Sequence, residues 1–460
     1  MQTLQLFRSL RNPVFARLYT AQTMNLLGDA LTWVGLALLA FELAGKNSAV
    51  VLSVALTLRV TAFVLLSSFA GVLADRLDRK TILVTTHLAR MGIVSLLPFV
   101  NAVWQIYVIV FALNVFYAFF TPTYQSTIPL VTGQEDYSQA IALSSTTFQL
   151  LGVLGPGIAG AIAAFVGARQ VFFLDALTFL IAAILIVTLP GQLRVAQSVD
   201  PPRSSGRTWH EVREGTTRLF ADDYLRYALA MQLVASVTGA QILVNAVGYV
   251  QGSLKLGSVQ YGWVMGAFGI GATLAAAAVS SLGQRWARTT IILLGATLIT
   301  IALLPASYAG LTLLLVLWSI AGAGQTLVNV SAQILIADRT PTEFQGRVYG
   351  AQFAWSHLWW VFSYPLAGWL GSHQKDLPFL YGGGIGLVLL VIVQTTLSPK
   401  GQEHGHESHW HEHEHEHDEY HRHKHHPGIS ESEPHLHPHQ HPVIRHVHPY
   451  SDSHHFHGHG

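Results

Sequence analysis

The chain has 460 residues, 51% of them hydrophobic and only 11% Asp, Glu, Lys or Arg, with a formal net charge of +1. A soluble globular protein carries about 25% charge, so this balance excludes an ordinary soluble domain and points to membrane spans of about 20 residues. It gives no reason to expect a nucleic-acid partner. There is no cysteine, which excludes disulfides and thiolate metal ligands, and the five methionines are scattered. Any metal chemistry must therefore use imidazole and carboxylate.

Met1 to Val14 carries Arg8 and Arg11 but no short apolar stretch followed by a small-residue cleavage site. No cleavable signal peptide is expected there; the segment reads as a short amphipathic helix at the membrane surface. Helical spans are expected at about 15–41, 49–73, 81–100, 104–131, 139–165 and 169–189, then at about 226–250, 260–282, 289–307, 310–337, 348–371 and 376–397. Between the two sets lies a polar break, 190–225, with Pro201-Pro202, Ser204-Ser205-Gly206 and a helical stretch containing Trp209, Glu211, Arg213, Glu214 and Arg218. The expected fold is an all-α membrane protein of twelve transmembrane helices: an N-terminal half (1–189), a linker (190–225), a C-terminal half (226–397) and a tail (398–460). Two six-helix halves joined by a linker are the layout of a secondary transporter.

Orientation follows from Lys and Arg in the loops. With the N-terminus inside, the cytoplasmic side receives Arg8, Arg11, Arg17, Arg76, Arg79, Lys80, the linker arginines, Arg285, Arg288, Arg339 and Arg347. The outer loops receive only Lys46, Arg169, Lys255 and Lys375. Both ends, the tail included, are thus expected in the cytoplasm.

The loop after the second span reads Gly71-Val72-Leu73-Ala74-Asp75-Arg76-Leu77-Asp78-Arg79-Lys80. It resembles the cytoplasmic loop signature of the major facilitator superfamily, with Asp78 where many members have Gly. Asp75 near a helix end can pair with arginines or face a helix N-terminus, latching the halves in one access state; a plain positive-inside anchor would also need the arginines. The fifth span carries Gly152, Gly155-Pro156-Gly157 and Gly160. This resembles the glycine-proline motif of exporters in the superfamily, although close helix packing alone calls for the same residues. Gln345-Gly346-Arg347-Val348 resembles the element before span eleven in the exporter branch. The second half departs from the pattern: Ser280 to Thr289 keeps Gly283, Arg285 and Arg288 but has no acid. The latch is expected to be asymmetric.

From His404 to His459 there are 21 of the chain's 25 histidines. They include His404, His406, His409, His411, His413, His415, His417, His421, His423, His425, His426, His435, His437, His439 and His441, with glutamates interleaved. The tail has too few apolar groups to pack and is expected to be disordered. Neutral imidazole suits Ni, Zn, Cu(II) and Co, and binding should weaken as pH falls through the histidine range. An expression tag would be a plain run of His, and a solvating tail would use Lys and Glu. A histidine-rich tail on a facilitator-type exporter, with His357-Leu358-Trp359-Trp360 to Tyr364-Pro365, resembles the bacterial nickel-resistance permeases. The resemblance implies efflux of Ni, with Co as an alternative, by a monomer.

Ionisable groups inside spans are costly and usually functional. Asp29 is expected near the middle of span one with Asn25 one turn before it. Arg59 falls in span two, His87 and Arg90 one turn apart on span three, Asn114 in span four, Asp175 in the outer part of span six and His357 in span eleven. The resemblance implies a cavity lined by spans one, four, seven and ten, so Asn25, Asp29, Asn114, Gln241 and Asn245 are candidates to face it. Asp29 reads either as a cation or proton site or as a structural partner of Arg59; a proton or metal arriving there would loosen that pair and bias the access equilibrium. Arg90 reads as structural, and His87 as a ligand or proton carrier near the cytoplasmic mouth. His357 reads either as a ligand or as a bond to a neighbouring helix.

No Gly-rich nucleotide loop is present, so ion exchange rather than ATP is the expected drive. The leading expectation is proton-coupled efflux of a divalent metal. An exporter of an organic molecule is the alternative, with Phe116, Tyr117, Phe119 and Phe120 available to line a pocket. A metal sensor or store anchored by its spans is a third.

Overall fold

Within a bilayer no water is available to the backbone, so each spanning segment must satisfy its own amides, and helices do so. The structure, a computed structural model, describes residues 8–189, 205–374 and 377–399, with the short segments 402–406, 410–415, 435–440 and 444–448. The described helices are α1 (Pro13–Ala44), α2 (Ser48–Arg76), α3 (Arg79–Val94), α4 (Val103–Val166), α5 (Val171–Val187), α6 (Ser205–Ala221), α7 (Asp223–Val247), α8 (Ser258–Arg285), α9 (Arg288–Leu303), α10 (Leu311–Arg339), α11 (Thr342–His373) and α12 (Pro378–Leu397). Eight described stretches are long and apolar enough to cross a membrane by length and composition. Large apolar side chains such as Phe165, Leu274 and Phe362 face outward, as a lipid-facing surface requires.

Polar residues set the helix starts. The Asn12 carboxamide oxygen accepts from the amides of Val14 and Phe15, with Pro13 at the first helical position, and its nitrogen donates to Val131 O at 2.7 Å. Asp78 caps α3 by accepting from the Thr81 amide and hydroxyl. That cap accounts for an acid where the resembled loop signature has Gly. Asp222 caps α7 in the same way. The amphipathic helix expected over Met1–Val14 is not found in its described part, which is a 3-10 turn at Arg8–Arg11 ending at the Asn12 cap.

One expected loop is missing. Spans four and five were expected to be separated near 132–138, but helical hydrogen bonding runs without a break through the 64 residues of α4. A straight helix of that length would extend about 96 Å. Instead it doubles back, because the Tyr124 hydroxyl lies 3.2 Å from the Ser144 hydroxyl and Ile128 shares a core with Ala140. The turn between the arms is itself helical, which is why composition alone suggested a break.

The connections fall at two ends of the bundle. At one end, here the linker end, Arg79 donates to Ser126 O, Lys80 to Leu189 O and Arg17 to Thr188 O. Asp222 there pairs with Arg339 at 2.9 Å, and Arg288 lies 3.9 Å from Asp338. At the far end Arg169 binds Glu42, Pro98 O and Val100 O, and Tyr249 donates to Ala309 O.

The two halves meet closely near the far end. A Cβ added to Gly157 would lie 2.8 Å from Gly266 Cα, and one added to Gly160 would lie 2.5 Å from Gly262 Cα. The second arm of α4 therefore packs backbone to backbone on α8. A second seam joins α2 to α11, where Gly368 lies against Ser53 and Gly371 against Ala49. Small residues are what permit such an approach.

Pro399–Gly460 is a separate compact unit. Its described residues are four short strands, β1 (Gln402–His406), β2 (Trp410–His415), β3 (His435–Gln440) and β4 (Ile444–His448). Strand β1 pairs with β4 and β2 with β3, both antiparallel. This departs from the expected disorder at those residues; the alternating His-x-His pattern has the two-residue period of a strand.

Candidate transport site

The expected ionisable groups of the N-terminal half converge on one place. Asp29 and Asn25 stand one turn apart on α1 and so share a face. Arg90, on α3, forms an ion pair with Asp29 and donates to Asn25 Oδ1 at 2.6 Å. The Arg90 guanidinium also lies 4.2 Å from the ring centre of Phe179 and 5.2 Å from that of Tyr117. The Arg90 side chain is 4% exposed and that of Asp29 21%, so the pair sits at the wall of a cavity rather than in open water. Removing one member of such a pair leaves a buried charge without compensation, at a cost of about 3–5 kcal/mol.

This corrects the expected partner of Asp29. Arg59 is not that partner; its guanidinium lies 4.5 Å over the Trp33 ring, and it has no carboxylate partner among the described residues. Both faces of one cavity wall are thereby set by arginines on different helices. Asp29, Arg59, Arg90, Asn114, Tyr117 and Asp175 line a small cavity of about 20 Å³. Asn114 turns its nitrogen to Val110 O at 2.8 Å, leaving its carbonyl oxygen as an acceptor. Asp175, from α5, receives hydroxyl donations from Thr32 and Thr178.

A larger cavity of about 260 Å³ adjoins it, sharing Asp29, Trp33, Arg59 and Tyr117. Its remaining wall is apolar, with Phe148 and Leu151 of α4, Leu243 of α7, and Tyr261 and Met265 of α8. Phe148, one of its lining residues, is half-exposed.

Other expected cavity residues lie elsewhere. Gln241 and Asn245 are buried where α7 packs on α11 and α12: Asn245 donates to Gln241 Oε1 and to Ala367 O, and Gln241 lies against Gly382. Among the described residues the cavity draws on α7 only through Leu243 and takes no lining residue from α10, against the expectation of four lining spans. His87 is not near an open mouth. It is fully buried, edge-on to Phe120 at 4.8 Å and near Phe179, and neither ring nitrogen has a hydrogen-bond partner. His357 bonds Phe353 O at 2.8 Å and stacks on that ring beside Phe63, off the cavity walls. Of the four aromatics proposed for an organic pocket only Tyr117 lines it; Phe120 belongs to the core around His87.

The gating candidates divide similarly. The side chains of Gly71, Asp75, Arg76 and Pro156 lie outside the described residues. Arg79 is buried and donates to Ser126 O. Gly155 lies 2.8 Å by its missing Cβ from Ala30, within the N-terminal half, while the neighbouring Gly157 and Gly160 form the seam with α8. Arg347 pairs with Glu214 of the linker helix, which packs on the start of α11 through Gly215 and through Arg218 stacked 3.5 Å over Phe344. The acid missing from the loop before α9 is supplied by Asp338 of α10, facing Arg288.

Among the described residues no three His, Asp or Glu side chains converge to hold a metal ion. In the tail, His404, His406, His411, His413, His415, His435, His437 and His439 lie on strands, whereas His409, His417, His421, His423, His425, His426 and His441 fall outside the described residues. The backbone register sets His411 opposite His439, His413 opposite His437 and His415 opposite His435. Positions two apart share one face of a strand pair.

Thr32 and Trp33, not singled out in the sequence, also line the small cavity. Trp33 and Thr32 follow Asp29 by four and three residues, the spacing that carries one helix face, and that was the available signal. The pairing of Asp29 with α3 rather than α2 has no sequence signal, because both arginines lie at comparable depth.

A model of the transmembrane secretion effector family matches residues 5–423. An uncharacterized MFS-type transporter of Bacillus subtilis, YfiS, is 28% identical over 403 residues, covering 81% of this chain and 92% of that protein. Macrolide efflux protein A of Streptococcus pyogenes is 26% identical over 41% of this chain and 47% of its own length. The multidrug resistance protein MdtG of Escherichia coli is 27% identical over 62% of this chain and 68% of its own. Among solved structures, the nucleoside transporter NupG superposes with a TM-score of 0.66 at 12% identity, covering 84% of this chain and all of that one. An inward-facing bacterial homolog of the lysosomal transporter Spinster superposes with a TM-score of 0.62 at 15% identity, covering 85% of this chain and 98% of that one. With the helical bundle and its two seams, these matches show that the chain belongs to the transmembrane secretion effector family of MFS-type transporters and is a multi-pass integral membrane protein.

Proposed function

We propose that the protein is a secondary exporter of a divalent transition metal, nickel first and cobalt second, driven by proton entry across a bacterial inner membrane. The observation that carries this reading is the tail, with 21 histidines between His404 and His459 and several at facing register positions. Imidazole at that density binds borderline divalent ions. With the linker end in the cytoplasm, as the loop charges favour, the tail raises metal concentration on the side from which an exporter loads.

The bundle complements that role. The seams between halves lie near the far end, and the large cavity is lined from both halves. Such a molecule accepts cargo from the linker side while shut on the other. Asp29 is the carboxylate available to an ion in the cavity, with the Asn114 oxygen and water completing the shell. Sparse coordination suits transport, since an ion must leave as readily as it enters. Cation arrival at Asp29 competes with Arg90, so cargo occupancy and the α1–α3 pair are mutually exclusive.

A second reading, export of an amphipathic organic molecule, is favoured by the apolar wall of the larger cavity and by the names of the macrolide and multidrug relatives. Metal tolerance of a sensitive bacterial host separates the two. The metal reading expects raised tolerance to nickel when the full chain is expressed and confirmed in the membrane. Unchanged tolerance to nickel, cobalt and zinc, with reduced accumulation of a lipophilic dye, would move the assignment to the organic reading.

A further inference from the structure

Asp175 has no assigned part in the exchange described above, yet it is 1% exposed and lines the same small cavity as Asp29 and Arg90. It is built into place. Thr32 of α1 and Thr178 of its own helix donate to its two oxygens, and Gly28 leaves the space its carboxylate fills, since any Cβ there would collide with Asp175 and Thr178. No cation is paired with it among the described residues. A buried carboxylate held only by hydroxyls needs a positive charge or a proton to offset its lost hydration.

The groups facing it are few. Asp29 comes from α1, Arg59 from α2, Arg90 from α3 and Tyr117 from α4, all on the cavity wall; His87 is buried one turn from Arg90 and lies near Phe179 of α5. Two acids thus share two arginines, but Arg59 is engaged over Trp33. Arg90 alone touches a carboxylate, and its Nε has no partner.

We propose that Asp175 is the residue that takes up the exchanged proton, with Arg90 as a counter-ion shared between Asp175 and Asp29. The inference rests on the antiport reading. When Asp175 binds a proton its oxygen becomes neutral, and Arg90 stays on Asp29, closing that carboxylate to cargo. When the proton leaves, the new negative charge draws Arg90 away from Asp29, which then accepts the cation. One proton gained at Asp175 expels one divalent cation from Asp29, so the cargo-loaded site carries one net positive charge more than the protonated one and one positive charge enters for every two that leave. Cargo and proton are coupled without occupying the same group.

The test is infrared difference spectroscopy of the full-length protein in lipid nanodiscs across a pH step. The wild type is expected to show a carboxylic-acid carbonyl band that shifts in deuterium oxide. Asp175→Asn should remove that band and Asp29→Asn should keep it. Thr32→Val, which deletes one donor but no acid, should move the band without abolishing it, and this variant serves if Asp175→Asn does not fold. A band that survives Asp175→Asn, vanishes in Asp29→Asn, or is absent from the wild type would overturn the proposal. In proteoliposomes Asp175→Asn, which fixes the neutral state that holds Arg90 on Asp29, should lose at least tenfold of both nickel(II) exchange at equal pH and pH-driven accumulation, and unimpaired exchange by this variant would overturn the shared counter-ion. If the wild type accumulates no nickel under a pH gradient, the antiport reading fails, while the spectra still decide whether Asp175 carries the proton.

Discussion

Arg90 sits between a carboxylate, an amide oxygen and two aromatic rings, and each partner comes from a different helix turn. Its worth is best read from a double-mutant cycle. Asp29→Asn and Arg90→Ala should each destabilise the protein by about 3–5 kcal/mol, because each strands a buried charge. The double variant should cost less than the sum of the two, a coupling visible in thermal unfolding in detergent. Additive losses would show that the pair is incidental. At this scale the sequence was legible for which polar residues lie inside the spans and poor for whom they meet. Asp29, Asn25, Arg90 and Asn114 stand out because charge and amide are rare inside spans. The partner of Asp29 was misread because helix depth does not specify which neighbouring helix turns toward it. Asn245 donates to Gln241 Oε1 and to Ala367 O at a helix junction, an outcome that composition cannot separate from a cavity wall.

Among the elements, the linker helix α6 is tied to the C-terminal half by Glu214 with Arg347, Arg218 over Phe344 and Phe220 edge-on to Trp355 at 5.2 Å. Glu214→Ala should therefore loosen the start of α11 and raise proteolytic cleavage in the linker more than the change Arg213→Ala at its exposed neighbour. Equal cleavage of the two variants would show that α6 is not braced by that pair. The helix seams make a second prediction. Ser48 of α2 and Gly248, which continues α7, belong to opposite halves, and a Cβ at Gly248 would lie 3.3 Å from the Ser48 hydroxyl. The chain has no native cysteine, so a Ser48→Cys, Gly248→Cys pair can be oxidised without background. The disulfide should stop transport and a reductant should restore it; transport through the oxidised protein would mean that the far end does not open. The helix positions were readable from apolar run length. The joint between the arms of α4 was not, because a helical turn and a polar loop draw on the same residues.

For the whole molecule, the proposal assigns transport to the helical bundle and metal capture to a tail dense in imidazole. A chain ending at Pro399 should keep the bundle folded and lose most nickel binding, and nickel retained by the full chain should be released as pH falls below the histidine range of about 6.5. Retention of bound nickel well below that range would point to carboxylate rather than imidazole ligands. The family, the helical bundle and the histidine density could all be read in the sequence, because each is a matter of composition or local motif. The site could be read only in part, since it depends on how the helices of the N-terminal half turn toward a common point. The central claim is best tested by pH-driven uptake of radioactive nickel into proteoliposomes, comparing the full chain, the chain ending at Pro399 and Asp29→Asn. The expected result is uphill accumulation by the full chain, the same direction of transport with weaker apparent affinity without the tail, and none with Asp29→Asn. Accumulation that ignores the pH gradient, or that Asp29→Asn leaves unchanged, would contradict it.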